Sequence, residues 1–140
     1  ENLPEIYEGE AFFAASNTNI AIINNTAWIV TGGKRSRVFK STDKGRTWKV
    51  YNSPIILGKT MTGIFTTDFY DKNNGIVMGG NWEEKQSYKD SKATTKDGGK
   101  TWDLIANNNP PGYISCVQYI PQTKGKMIMA VSTEGIYFSN

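Results

Sequence analysis

Apolar side chains recur along this chain in runs of four to seven residues, many alternating with polar ones, and the runs are divided by Gly, Asn, Asp and Ser. Period-two patterning of that length marks a strand, whereas a helix needs apolar positions every three or four residues over a longer stretch. The pattern predicts strands over Asn19–Ile23, Ala27–Thr31, Arg37–Ser41, Trp48–Tyr51, Gly63–Phe69, Gly75–Met78, Lys92–Thr95, Trp102–Ile105, Ser115–Ile120, Lys126–Val131 and Gly135–Ser139. Asn24-Asn25, Gly32-Gly33, Lys44-Gly45, Asn74-Gly75, Gly98-Gly99 and Lys124-Gly125 separate them with residues that tolerate positive φ. Tight antiparallel hairpins and an all-β fold class follow.

Aligning those turns exposes an internal repeat. Ser41-Thr42-Asp43-Lys44-Gly45-Arg46-Thr47-Trp48 and Thr95-Lys96-Asp97-Gly98-Gly99-Lys100-Thr101-Trp102 share the pattern Ser/Thr-x-Asp-x-Gly-x-Thr-Trp at a spacing of 54 residues. Each follows a strand that ends in two glycines, Trp28–Gly33 and Gly75–Gly80, so the repeating unit is larger than the turn. A third copy begins at Lys126–Val131 and runs to Ser139, which takes the register of Ser41. Within the turn, Asp43 and Asp97 are expected to accept backbone N–H groups two or three residues on, while Gly45 and Gly99 supply positive φ. Thr47 and Thr101 return the chain to extended geometry, and Trp48 and Trp102 open the next strand with an indole N–H that needs a partner. These residues are thus read as structural, since an Asp engaged by its own turn has few lone pairs left for catalysis or metal binding.

The repeated octapeptide resembles the Asp-box, or bacterial neuraminidase repeat, found in sialidases, sortilin-type receptors, some glucanases and the photosystem II assembly and stability factor family. The repeat spacing and the paired glycines are most similar to the assembly-factor branch and its bacterial relatives. The resemblance implies a partial β-propeller over residues 1–140, built from four-stranded antiparallel blades joined at their third and fourth strands by the box. Blade one covers about 11–57, blade two about 61–109 and an incomplete blade three about 112–140. A propeller usually closes with about four to eight blades, so the expectation is an incomplete ring completed by missing blades of a larger parent or by self-association. The function implied is a non-catalytic scaffold or binding module in the periplasm or outside the cell. The alternative is a fragment of a sialidase-like or glucanase-like enzyme.

Composition narrows these classes. The chain has 140 residues, enough for one modest domain. No apolar stretch approaches the roughly 20 residues of a membrane helix. Sixteen Lys and Arg against thirteen Asp and Glu give a net charge of +3, too small for a global nucleic-acid footprint. The sequence has no histidine, which removes Ser-His and Cys-His nucleophile systems and argues against zinc. It also lacks a Gly-rich phosphate loop between strand and helix, so neither a cofactor nor a metal is expected. The lone Cys116 sits in a strand pattern and reads as a buried thiol. Glu1 opens a polar segment without the basic start and apolar run of a signal peptide, which a processed chain would show equally.

Binding candidates come from two segments. The insertion Asn81–Tyr88 lengthens blade two by about seven residues and carries Trp82 and Tyr88 among mixed charges, the composition of a recognition loop; a solvated hairpin is the alternative. Lys34, Arg35, Arg37, Lys40, Lys44, Arg46 and Lys49 place seven cations within sixteen residues. A strand of four to six residues divides Lys34, Arg35 and Arg37 from Lys44 and Arg46 by roughly 15–20 Å, so they form no compact site but could make an edge for a protein partner. Arg35, Arg37 and Arg46 are also the only arginines, too dispersed for the converging triad of a sialidase. Asp71–Gly75 reads as an Asn-Gly hairpin instead of a calcium loop, and the sequon Asn24-Asn25-Thr26 reads as a turn. A protein or glycan ligand is the partner class left open.

Overall fold

A computed structural model describes residues 3–139, and all its regular elements are strands. The first sheet pairs β2 (Ile20–Ile23), β3 (Thr26–Val30), β5 (Arg37–Ser41) and β6 (Lys49–Asn52) in antiparallel order. The second runs β7 (Thr62–Phe69), β8 (Gly75–Asn81), β9 (Lys92–Thr95) and β10 (Asp103–Leu104), and is extended past β7 by β4 (Gly32–Gly33) and then β1 (Glu10–Ala11). The third joins β11 (Ile114–Tyr119), β12 (Ile128–Ser132) and β13 (Gly135–Ser139). They are called blades one, two and three below.

The faces of the blades pack because alternate residues point to opposite sides of each strand. Trp28, Val30 and Val38 of blade one meet Ile64, Phe69, Val77 and Ala93 of blade two in one buried cluster, with Trp102 packed against it. The intervening residues of β8, Ile76 and Met78, face the other way and join Ile114, Val117 and Ala130 of blade three. Blade two is therefore covered on both faces. On blade three, Met129, Val131, Ile136 and Phe138 form the far face, and each is more than two-fifths exposed.

Inner strands are tied across blades by side chains reaching backbone. Thr66 Oγ1 accepts the Val117 N–H at 3.0 Å, and Asp68 Oδ2 accepts the Tyr119 N–H at 2.6 Å. Burial raises the Asp68 pKa against the opposing pull of its two backbone hydrogen bonds.

Strand register revises two sequence expectations. Gly75 pairs with Thr95 as Ala27 pairs with Ser41, so the equivalent of Trp28 is Ile76, not Gly75. The glycine pairs had drawn the two strands one residue out of phase, and the insertion is accordingly six residues long, not seven. Gly32-Gly33 is also not a hairpin turn. Gly32 leaves blade one to pair with Gly63 of β7, and a Cβ on either glycine would overlap the opposing chain.

The Gly32–Gly63 crossing gives a prediction. Gly63 has φ 124° and its Cβ would strike Gly32, whereas Gly58, at φ 110°, has nothing within 4 Å of its Cβ position. Gly63→Ala should cost about 3 kcal/mol or more in urea unfolding, and Gly58→Ala only the backbone strain of about 1 kcal/mol. Equal losses would show that the close approach contributes nothing.

Candidate functional site

At the end of the sheets opposite the repeated turns, the inner strands and the segment Phe13–Thr18 enclose a groove of about 560 Å3. Phe13, Phe65, Tyr113 and Trp82 line it in a continuous chain of rings. Phe13 stacks on Phe65 at 4.1 Å and 6°, Phe65 meets the edge of Tyr113 at 4.8 Å, and Tyr113 meets Trp82 edge-on at 5.2 Å. Lys85 Nζ lies 3.9 Å from the Trp82 ring centroid, and Trp82 is 40% exposed. Cys116, expected from sequence to be buried, is half-buried and lines the groove with Ser115, Met61 and Ser16.

Two β-bulges build the inner wall. Register slips between Ile64 and Thr66 in β7 and between Ile114 and Cys116 in β11, at equivalent points of blades two and three, leave Phe65 and Ser115 as the extra residues. A bulge re-aims its residue and frees its carbonyl from the ladder. Ser16 Oγ donates to the Phe65 carbonyl at 2.5 Å, and Thr18 Oγ1 to that of Ser115 at 3.4 Å, seating the Phe13–Thr18 segment across both strands.

The insertion after β8 forms the outer wall and is held at several points. Trp82 N–H donates to the Met61 carbonyl at 2.9 Å, and Tyr113 N–H donates to the Lys85 carbonyl at 2.9 Å. Glu84 pairs with Lys59 at 2.7 Å. Tyr88 does not enter the groove: its hydroxyl donates to Glu134 Oε1 at 3.3 Å, beside a shallow depression rimmed by Glu83, Glu84 and Glu134. Beneath lies Lys92, buried in β9, whose ammonium donates to the Asn109 and Pro111 carbonyls at 2.7 and 2.8 Å and so orders the approach to Tyr113. Burial lowers the Lys92 pKa, with Glu134 opposing. Burial likewise raises that of Tyr113, which keeps its phenol neutral.

The basic candidates part company. Lys34 and Arg35 are exposed, Arg35 lying 4.8 Å from the centroid of Tyr7. Arg37, grouped with them by sequence, is 8% exposed and spends its guanidinium on the chain's own N-terminal segment. Its Nε donates to Glu10 Oε1 at 2.8 Å and its Nη2 to Glu10 Oε2 and to the Glu5 carbonyl, between the rings of Tyr7 and Phe39. Burial pushes the Glu10 pKa up, but the Arg37 and Thr31 hydrogen bonds outweigh it and carry it below the usual value.

At the other end, the two repeated turns have one geometry. Ser41 Oγ accepts the Gly45 N–H at 2.8 Å and donates to Asp43 Oδ1 at 2.8 Å. Asp43 accepts the Thr47 N–H at 2.9 Å and the Thr47 hydroxyl at 2.6 Å. Thr95, Asp97, Gly99 and Thr101 repeat these bonds, and Asp97 also accepts the Lys100 N–H at 3.0 Å. The Asp97–Lys100 bond has the expected three-residue span, while the bonds to Thr47 and Thr101 reach four residues, one more than expected, because Lys44 and Gly45 are both left-handed, as are Gly98 and Gly99, and the loop widens. Trp48 and Trp102 donate back to the carbonyls of Gly45 and Gly99 at 3.0 and 3.1 Å, so each stays in the turn and precedes the fourth strand. Asp71, weighed as a cation ligand, accepts the Asn73 and Asn74 N–H groups of its own turn at 2.8 and 2.7 Å.

Sequence reasoning found Trp82 but missed Phe13, Phe65 and Tyr113. Those three share no spacing, and only the bulges and the crossing of Phe13–Thr18 bring them together.

No protein-family model and no curated protein matches this chain. Solved structures share its fold. The GH74 enzyme of Niastella koreensis aligns with 86% of this chain and 20% of its own, at 19% identity and a TM-score of 0.62. YCF48 bound to D1 peptide aligns with 81% of this chain and 31% of its own, at 17% identity and a TM-score of 0.51. Both are β-propellers, and the chain described here is an all-β protein of that fold. It spans about a fifth to a third of the length of these two structures.

The turns predict the response to acid. Hydrogen bonds from the Thr47 hydroxyl and N–H hold the Asp43 carboxyl down at about 2. Burial opposes, but the Thr101 hydroxyl and N–H carry Asp97 well below the ordinary range. A depressed carboxylate pKa contributes stability that is present above its unfolded value near 4 and is lost as pH falls towards the folded value. The melting temperature should therefore fall steeply from about pH 4 to pH 2. Asp97→Ala should remove part of that slope and cost about 1–3 kcal/mol at neutral pH. A parent profile flat across this window would contradict the turn's role.

Proposed function

We propose that this chain is a non-catalytic binding module, an Asp-box propeller segment that holds an extended stretch of another protein in the aromatic groove. The observation that carries the reading is the lining itself: four aromatic rings, Met61 and small polar groups, with no carboxylate among the residues that form the groove. Phe65 and Tyr113 are buried and form a fixed floor under the groove, and the exposed Trp82 beside them is the kind of anchor that dominates binding energy. That YCF48 has the same fold and was solved with a peptide supports the assignment by likeness.

The second reading, part of a carbohydrate-active enzyme, draws on the likeness to the GH74 enzyme and on the affinity of aromatic rings for sugar faces. Glycosidase chemistry needs two carboxylates flanking the scissile bond. Glu83, Glu84 and Glu134 on this end rim the neighbouring depression instead, Glu84 is paired with Lys59, and Glu10 is paired with Arg37.

Selection of a displayed-peptide library on the immobilised chain, followed by titration of the selected peptides against tryptophan fluorescence, separates the readings. Trp82→Ala should weaken the selected peptides by about tenfold, or roughly 1.4 kcal/mol. Cello-oligosaccharides incubated with the chain should release no reducing ends. Hydrolysis of those sugars, or peptide binding unchanged in Trp82→Ala, would overturn the proposal.

A further inference from the structure

At the turn end of the sheets, away from the groove, the cleft between blades one and two holds a cavity of about 130 Å3 lined by Lys40, Thr42, Thr47, Lys49, Tyr51 and Lys100. Lys40 of β5 and Lys49 of β6 are register partners, so their side chains leave the same face side by side. Like charges directly opposite each other destabilise a sheet. Blade architecture does not demand the pair, because the equivalent position of blade two holds Thr94 opposite Asp103. Lys100 closes the cavity from the other blade, its turn fixed by the bond from its own N–H to Asp97.

No carboxylate pairs directly with this cluster, although Asp97 offsets part of its charge from a distance. Asp43 and Asp97, the carboxylates of the two adjoining turns, commit their oxygens to those turns. The salt bridges among the described residues are Arg37–Glu10 and Lys59–Glu84, so no described carboxylate lies within 4.0 Å of the three ammonium groups. Thr47 donates its hydroxyl to Asp43, whereas the Thr42 and Tyr51 hydroxyls make no hydrogen bond among the described residues and are free to donate. Burial above all, and the Lys100 charge beside it, hold the Lys40 pKa below its usual value, with Asp97 opposing.

We propose that this cleft binds a tetrahedral oxyanion, a phosphate or sulfate group either free or esterified to a sugar. Ammonium groups bind phosphate as point charges, and three of them around one cavity suit an anion that spreads its charge over several oxygens. The volume accommodates roughly four water molecules at about 30 Å3 each, enough for one such group. An anion held there offsets the Lys40–Lys49 repulsion and bridges β5 and β6 of blade one to the turn of blade two. The site is independent of the aromatic groove and of what the groove holds.

The test is thermal unfolding and calorimetric titration with inorganic phosphate, inorganic sulfate, glucose 6-phosphate and sodium chloride at matched ionic strength. The parent chain should show a saturable rise in melting temperature with phosphate and sulfate that chloride does not reproduce. Binding of glucose 6-phosphate as well would extend the site to esterified groups; binding of the inorganic ions alone would confine it to the free anion. Lys49→Gln with Lys100→Gln alters two exposed side chains and leaves Lys40 in place over Trp28. Without anion, this variant should melt at least as high as the parent, because repulsion is relieved, and it should bind phosphate about tenfold more weakly. Lys100→Gln alone should weaken binding in the same direction, and Lys89→Gln, outside the cleft, should match the parent. A chloride response equal to that of phosphate, or lysine variants that bind phosphate as the parent does, would overturn the assignment.

Discussion

The docking of one blade's turn onto the face of the next is the constraint from which the remaining geometry follows. Trp28 is fully buried in blade one, stacks on Phe69 of blade two at 3.7 Å, and donates its indole N–H to the Gly98 carbonyl at 2.9 Å. That carbonyl belongs to the second repeated turn, whose Asp97, Thr95 and Thr101 hold it in place. Gly99 lies against Trp28 and Trp102 together, so a larger residue there would press on both indoles. The turn thus caps its own sheet and plugs the apolar seam of its neighbour. A buried indole N–H without that acceptor would cost more than the bond contributes, so turn and seam stand or fall together.

Given that seam, the two ends of the sheets acquire different characters. The turn end is polar and hydrogen-bonded to itself, and it brings lysines of two blades into one cleft. At the opposite end, the bulges of β7 and β11 interrupt the ladders and open the space that Phe13, Phe65, Tyr113 and Trp82 line. The N-terminal segment spans this end, clamped through Glu10 to Arg37 and through Ser16 to Phe65. The proposed binding groove thereby lies on connections and strand ends supported by a packed stack, where variation costs the core least.

Local patterning carried the fold a long way. Strands such as Arg37–Ser41, Lys92–Thr95 and Gly135–Ser139 have the predicted bounds, because turn residues flank short alternating runs. What escaped depended on partners distant in sequence. Arg37 looks like a surface cation until Glu10, 27 residues earlier, is known to meet it. Gly32-Gly33 has the composition of a hairpin, yet it pairs with β7 and β1. Trp28 carries no motif, and its role appears only with the Gly98 carbonyl 70 residues on. Likewise, the aromatic groove and the lysine cleft are each assembled from separate elements that no single window of sequence contains.

The coupling between seam and turn can be measured by a double-mutant cycle of Trp28→Phe and Asp97→Ala in urea unfolding. The first change removes the indole donor while keeping an aromatic ring, and the second loosens the turn that presents the acceptor. If turn and seam form one unit, the losses are not additive and the coupling energy is about 1 kcal/mol or more. Losses that sum to within about 0.3 kcal/mol would mean that each turn only closes its own blade, contradicting the account of how the blades are joined.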